Sequence, residues 1–110
     1  MKTKPLGSQF SIGIDIPAYG YNDCAEIEIA LYNERYPHRK VTFKKTDTAN
    51  PIENNSGINA TIDILVTPEH TKTLGIGTVK FELKRVVNGV KQPIIKSKVP
   101  VFTIDESYTS

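Results

Sequence analysis

The chain has 110 residues, with 14 Lys and Arg against 12 Asp and Glu, so its net charge is +2. That length suffices for one core that buries roughly 60–70% of the unfolded surface, and it points to a single domain over residues 1–110. A charge this balanced gives no ground for a nucleic-acid or membrane surface. The lone cysteine, Cys24, excludes an internal disulfide framework and a cysteine-based zinc site.

Residues 1–7 carry basic side chains with no apolar stretch behind them, so a basic arm and no signal peptide is expected there. No apolar run approaches the ~20 residues of a membrane helix. A soluble protein made in a reducing cytoplasm is expected. Phe10, Ile12, Ile14 and Ile16 then alternate with Ser11, Gly13 and Asp15. A period of two puts alternate side chains on one face of a strand, and Pro17 ends it. A loop follows with two tyrosines, Tyr19 and Tyr21. The second strand sets Ala25, Ile27, Ile29 and Leu31 against Glu26, Glu28 and Tyr32. A short third strand turns Val41 and Phe43 inward. Residues 46–57 are polar and rich in turn formers, which predicts a mobile loop.

The stretch from Ile58 to Leu83 organises the rest. Ile58, Ala60, Ile62, Ile64 and Val66 are apolar at every second position, with Leu65 the exception on the other face. Thr67 suits a helix cap, Pro68 the first helical position and Glu69 the positive end of the dipole. Gly75 suits the left-handed residue that ends a helix. Alternation resumes at Val79, Phe81 and Leu83, with Lys80, Glu82 and Lys84 opposite. A helical turn this short is no βαβ crossover, so it is a corner between strands. Val87-Asn88-Gly89-Val90 predicts a tight hairpin with Asn88 and Gly89 in a type I′ turn. A last strand covers roughly residues 94–104. Pro93 and Pro100 make it an edge strand or break it in two. Residues 105–110 are a polar tail.

About seven short strands, turns at regular spacing and no long helix predict an all-β, immunoglobulin-like β-sandwich with one short helical turn at a strand corner. The alternative is a small OB-like barrel. The segments FSIGIDIPAYGYNDCAEIEIALYN and TIDILVTPEHTKTLGIGTVKFEL resemble the small immunoglobulin-like domains of tailed-phage virions. The resemblance is to the amino-terminal domain of baseplate upper and fibre-adaptor proteins, and it covers most of the chain. Phe81 and Val79 stand where an antibody-type domain would have a second core cysteine and a corner tyrosine, and there is no Trp. The resemblance implies a virion structural role, with other virion proteins as partners in a multi-copy assembly, and a location in the virion after synthesis in the host cytoplasm.

Chemistry is sparse. His70 beside Glu69, with Asp63 on the preceding strand, lacks any recognised metal spacing and reads as a solvated turn histidine. No Gly-x-Ser-x-Gly elbow occurs, so no enzyme, cofactor or metal is expected. Gly75-Ile76-Gly77-Thr78 leads into a strand, unlike a Walker loop. Arg35, Arg39, Lys40, Lys44 and Lys45 with Tyr32, Tyr36 and Phe43 form the one basic-aromatic cluster, which an OB-like single-stranded nucleic-acid binder would use for stacking. A carbohydrate-binding sandwich would draw its platform from Tyr19, Tyr21 and Tyr36. Asn54 and Asn59 fit glycosylation patterns by chance. Cys24 reads as a small core residue. Tyr19 and Tyr21, together with the edge marked by Pro93 and Pro100, are the candidate interface. The expected function is a non-enzymatic structural or attachment module, either a tail or baseplate adaptor or a capsid-associated head-fibre protein.

Overall fold

A computed structural model describes residues 2–106 of the chain. Its nine strands and one helix are β1 (Lys2–Pro5), β2 (Phe10–Asp15), β3 (Glu26–Asn33), β4 (Lys40–Lys44), β5 (Thr61–Val66), α1 (Pro68–Leu74), β6 (Gly77–Val87), β7 (Val90–Lys91), β8 (Ile95–Lys96) and β9 (Phe102–Asp105). The larger sheet runs β1-β9-β6-β3-β4, with β7 and β8 also paired to β6, and the smaller sheet is β2-β5 alone. The fold is an all-β sandwich, not a closed barrel. In immunoglobulin-like sandwiches the strands lettered B and E share one sheet and C, F and G the other. Here β2 and β5 occupy the first pair of places, and β3, β6 and β9 the second set.

The period of two fixes which side chains enter the core. Along β3, Ile27, Ile29 and Leu31 are buried while Glu26, Glu28, Ala30 and Tyr32 stand outward. From the smaller sheet Ile14, Ile62, Ile64 and Val66 meet them, and Val79, Leu83, Phe102 and Ile104 complete the layer. Each such side chain contributes about 1.5–3 kcal/mol by leaving water. Two strands cannot cover a seven-strand sheet. Over β3 and β4 the cover comes from α1, which packs on both strands, and from Ile52. Phe43 meets the His70 ring edge-on there, at 5.1 Å between centroids.

Several expectations need correction. The strand expected from Ile58 begins at Thr61, and Ile58 is exposed, because its backbone turns through a Thr61 N–H bond to the Ile58 carbonyl. Residues 46–57 are not free. Ile52 is buried, Pro51 bridges Lys44, and Glu53 exchanges backbone hydrogen bonds of 2.9 and 2.8 Å with Asp63. The arm at residues 1–7 contains β1, which needs no apolar side chains because it is held by its parallel backbone ladder to β9. The last strand breaks at Pro100 into β8 and β9, and both pieces pair with β6. β8, in the proline-marked segment, pairs with β6 alone and so lies at a sheet edge, as β1 does. Of the tail, residues 107–110 lie outside the described residues.

Candidate interaction surfaces

The loop from Pro17 to Asp23 is the most heavily braced irregular segment. Arg85 sits on β6 at the inward parity of Val79, Leu83 and Val87 and is only 5% exposed. Its Nη1 donates to the Pro17 carbonyl at 2.5 Å and to the Tyr19 carbonyl at 3.0 Å. The Tyr19 N–H also donates to Pro17 O at 2.8 Å, across Ala18 at φ +67°. That is a γ-turn of the positive-φ kind, a conformation that costs an alanine about 1–3 kcal/mol. Asn59 locks the far side. Its carbonyl accepts from the Tyr21 N–H, its Oδ1 from the Asn22 N–H, and its Nδ2 donates to Asp23. The Gly20 and Asn59 hydrogen bonds hold the Asp23 carboxyl below the usual carboxylate range. Gly20 lies so close to Asn59 that a Cβ there would collide with its backbone.

This bracing separates the two candidate tyrosines. Tyr19 is 40% exposed on a fixed turn. Tyr21 packs on the core, its hydroxyl reaching the Ile52 carbonyl at 3.4 Å and its ring lying 4.4 Å from Lys45 Nζ. Tyr21 is thus a structural residue, and so is Lys45, which donates to the Tyr21 and Cys24 carbonyls. Cys24 is buried at the same end, and desolvation pushes its thiol up, opposed by the Arg85 charge.

A groove of about 540 Å³ runs along the outer face of the larger sheet, between the carboxylates of Glu26 and Glu28 and the arm carrying Lys91, Pro93 and Ile94. Glu28 is flanked by Lys44 at 3.5 Å and Lys84 at 3.8 Å, so the floor is paired charge. Glu28 and Lys84 also wall a second hollow of about 330 Å³ that reaches Tyr32, Pro37 and Lys96. The arm is apolar at its tips: Val90, Ile94 and Val99 are 61%, 54% and 71% exposed. Pro93 is exposed beside Ile94, and Pro100 is half-buried where the arm re-enters the sheet. Asn88 (φ +51°) and Gly89 (φ +77°) form the expected hairpin turn, with Val87 paired to Val90.

The basic-aromatic cluster does not act as one surface. Phe43 is core and Lys45 is used internally. Tyr36 keeps Arg35 and Arg39 near its ring, each 5.6 Å from the centroid. It lies in the turn between β3 and β4, whereas Tyr19 and Tyr21 precede β3, so the three tyrosines stand at opposite ends of the sandwich and make no common platform. Gly75 (φ +77°) ends α1, its N–H donating to Thr71 O, and no phosphate cradle forms. Asn54 and Asn59 both donate their amide nitrogens to hydrogen bonds within the chain, Asn54 to the Ile58 and Thr61 carbonyls and Asn59 to Asp23.

Two residues with structural roles escaped sequence reasoning. His70 is half-buried instead of solvated: its Nδ1 accepts from the Thr67 N–H at 3.0 Å while Thr67 Oγ1 accepts from the His70 N–H. This is a capping box with His in the place of Glu or Gln. Burial depresses its pKa, and Nε2 faces Asn50 Oδ1 at 3.0 Å. Asn33, 1% exposed, donates to the Leu74 and Ile76 carbonyls and accepts from the Arg35 and Tyr36 N–H groups. Both residues had a signal: Asn33 shares the inward parity of Leu31, and Thr67-x-x-His70 has the capping-box spacing. Comparison of the chain with protein-family models, with curated proteins and with solved structures finds no match.

Proposed function

We propose that this chain is a non-enzymatic structural or attachment module of a tailed-phage virion, holding neighbouring virion proteins either at the tail and baseplate or on the head. The fold class is the one that the phage resemblance implies. The observation that carries the reading toward protein contact is the arm of residues 90–99, whose exposed Val90, Ile94 and Val99 border the outer-face groove. Apolar side chains gathered on one projecting element beside paired charges suit a protein interface, with an apolar centre and a polar rim.

The test is co-sedimentation. Antiserum against the purified chain is used on density-banded phage particles from the source culture, alongside chemical cross-linking read by mass spectrometry. The chain should band with particles, and cross-links should involve Lys91 and Lys96. Ile94→Asp combined with Val99→Asp should release it while leaving its circular dichroism unchanged. A chain that stays in the soluble fraction sinks the virion reading. Binding of single-stranded nucleic acid well below ~10⁻⁶ M at physiological salt would replace it with a nucleic-acid role.

A further inference from the structure

A sandwich must account for the backbone groups on every sheet edge, since an unpaired edge is a template for another chain. The β4 edge is closed: Asn50 O accepts from the Lys44 N–H, the Ile52 N–H reaches Lys44 O, and Asn50 Nδ2 reaches Thr42 O. Along the outer edge of β5 the Glu53–Asp63 pair and Asn54 Nδ2 on the Thr61 carbonyl occupy Asp63 and Thr61, which leaves Leu65 as a single outward residue. In β1 the Leu6 N–H bonds to Asp105 O, which turns even-numbered residues toward β9 and leaves Thr3 and Pro5 outward. Pro5 has no N–H, and its carbonyl already accepts from Ser8. That edge offers a single residue.

β7 and β8 also pair with β6 alone, but each is two residues long and their segment carries Lys91, Pro93 and Lys96, which blunt an edge. The long edge that remains is β2. Ile16 N–H donates to Ala60 O, so the even-numbered residues of β2 face β5 and Ser11, Gly13 and Asp15 turn their N–H and C=O groups away from it. None of these six groups has a partner among the described residues, and all three residues are exposed. No proline or lysine interrupts the run.

What lies beneath this edge selects the occupant. Phe10 and Ile12 on the inner face of β2 are only partly buried. Phe10 stands edge-on to Phe102 of β9 at 5.0 Å, so β2 lies over β9, and β1 projects one strand further. Lys4 of β1 is paired with the buried Ile104, so it points inward, and its Nζ sits 4.8 Å over the Phe10 ring. It has no carboxylate partner among the described residues. A strand added to β2 would lie above β1 and cover Phe10, Ile12 and this ammonium. On the opposite face its neighbours would be Asp15 and Asp63. We infer that the β2 edge is a docking slot for one extended segment of another polypeptide, which places apolar side chains and a carboxylate inward and neutral or basic side chains outward. A second β2 does not fit, because its own β9 would occupy the space that β1 already fills, and it would bring Ile12 or Ile14 over Lys4. The inward lysine thus excludes the self-pairing that an open edge invites and admits a strand of the right charge. This inference does not rest on the virion reading.

The test joins a probe strand to the carboxyl end of the chain through a flexible Gly–Ser linker, which raises its effective concentration to about millimolar. The probe is Thr-Val-Lys-Glu-Thr-Ile-Lys, with Val, Glu and Ile on one face. Hydrogen exchange by NMR reads the amides of Ser11, Gly13 and Asp15. All three should exchange at once in the unfused chain and slow at least about tenfold in the fusion. A probe with Lys in place of its Glu should lose that protection, and Lys4→Glu should restore it. A version N-methylated on the pairing side, ligated in its place, should give none. Protection of these amides in the unfused monomer, or equal protection by the Glu and Lys probes, would overturn the inference, as would a concentration-dependent dimer protecting the same amides.

Discussion

Asn33 offers the sharpest stability test, because one side chain closes four backbone groups from three segments. Its Nδ2 bonds to the Leu74 carbonyl at 3.0 Å and the Ile76 carbonyl at 3.1 Å. Its Oδ1 accepts from the N–H groups of Arg35 at 3.0 Å and Tyr36 at 3.1 Å. Hydrogen bonds of this kind stabilise by about 0.5–1.5 kcal/mol net, and a partner left buried and unpaired costs about 1–3 kcal/mol. The Leu74 carbonyl is the buried one, while the turn amides of Arg35 and Tyr36 can reach water. Asn33→Ala should therefore cost about 3–4 kcal/mol, a large share of the ~5–15 kcal/mol of an ordinary domain. With an m-value of about 1–1.5 kcal/mol/M in urea, the midpoint should fall by about 2–4 M at unchanged slope. Asn33→Asp separates bonding from packing. It keeps the acceptor but loses the donors and aims negative charge at two carbonyls, so near neutral pH it should lose at least as much as Asn33→Ala. A loss below about 1 kcal/mol for Asn33→Ala would show that water replaces the amide and that this junction is not held as described.

Gly75→Ala should cost about 1–3 kcal/mol, because φ +77° with ψ 177° lies outside the left-handed helical region and is entered almost only by glycine, while the Arg39 guanidinium that the new methyl would meet is the far end of a flexible side chain; a neutral result in urea melts would refute that geometry. His70 is depressed below its ordinary 6.5, so its contribution is whole above pH 6.5 and declines as pH falls below that value, when Nδ1 gains a proton and no longer accepts from Thr67. Urea midpoints between pH 7.5 and 5 should fall for the parent chain and stay flat for His70→Gln, which keeps a capping-box acceptor; parallel slopes would remove His70 as the cause. Arg85→Met should speed amide exchange at Tyr19, Tyr21 and Asp23 and leave β3 protected, whereas a uniform loss of protection would mean that Arg85 supports the whole sandwich and not its loop.

The strands were legible because burial alternates with the pleat: Ile27, Ile29 and Leu31 on β3 and Ile62, Ile64 and Val66 on β5 announce their face without any tertiary knowledge. The corner was legible from Thr67, Pro68 and Gly75, and the hairpin from Asn88 and Gly89, where side-chain chemistry dictates backbone angles. β1 was invisible. Lys2, Thr3, Lys4 and Pro5 have no apolar pattern, and their strand exists because β9 presents a ladder to them. The 46–57 loop looked mobile for the same reason: composition registers the polar residues around Ile52 and not the bridges to Lys44 and Asp63. Tyr21 and Lys45 suggested an exposed surface until the fold brought each to a carbonyl 21 to 31 positions away.

The buried polar residues divide the molecule into parts that serve different ends. Asn33 closes one end of the sandwich, where β3 turns and α1 stops, and Arg85 closes the other, under the γ-turn at Ala18. Neither adds to the apolar core, and a buried guanidinium without a carboxylate is a poor stabiliser compared with an aliphatic side chain of its size. Its Nε has no partner among the described residues, so desolvation there goes uncompensated. What Arg85 does supply is a fixed position for the Pro17 and Tyr19 carbonyls, against the strain at Ala18. A loop that merely connected β2 to β3 would relax to ordinary angles and need no such clamp. The clamp therefore fixes the backbone that carries the exposed Tyr19, just after the end of β2.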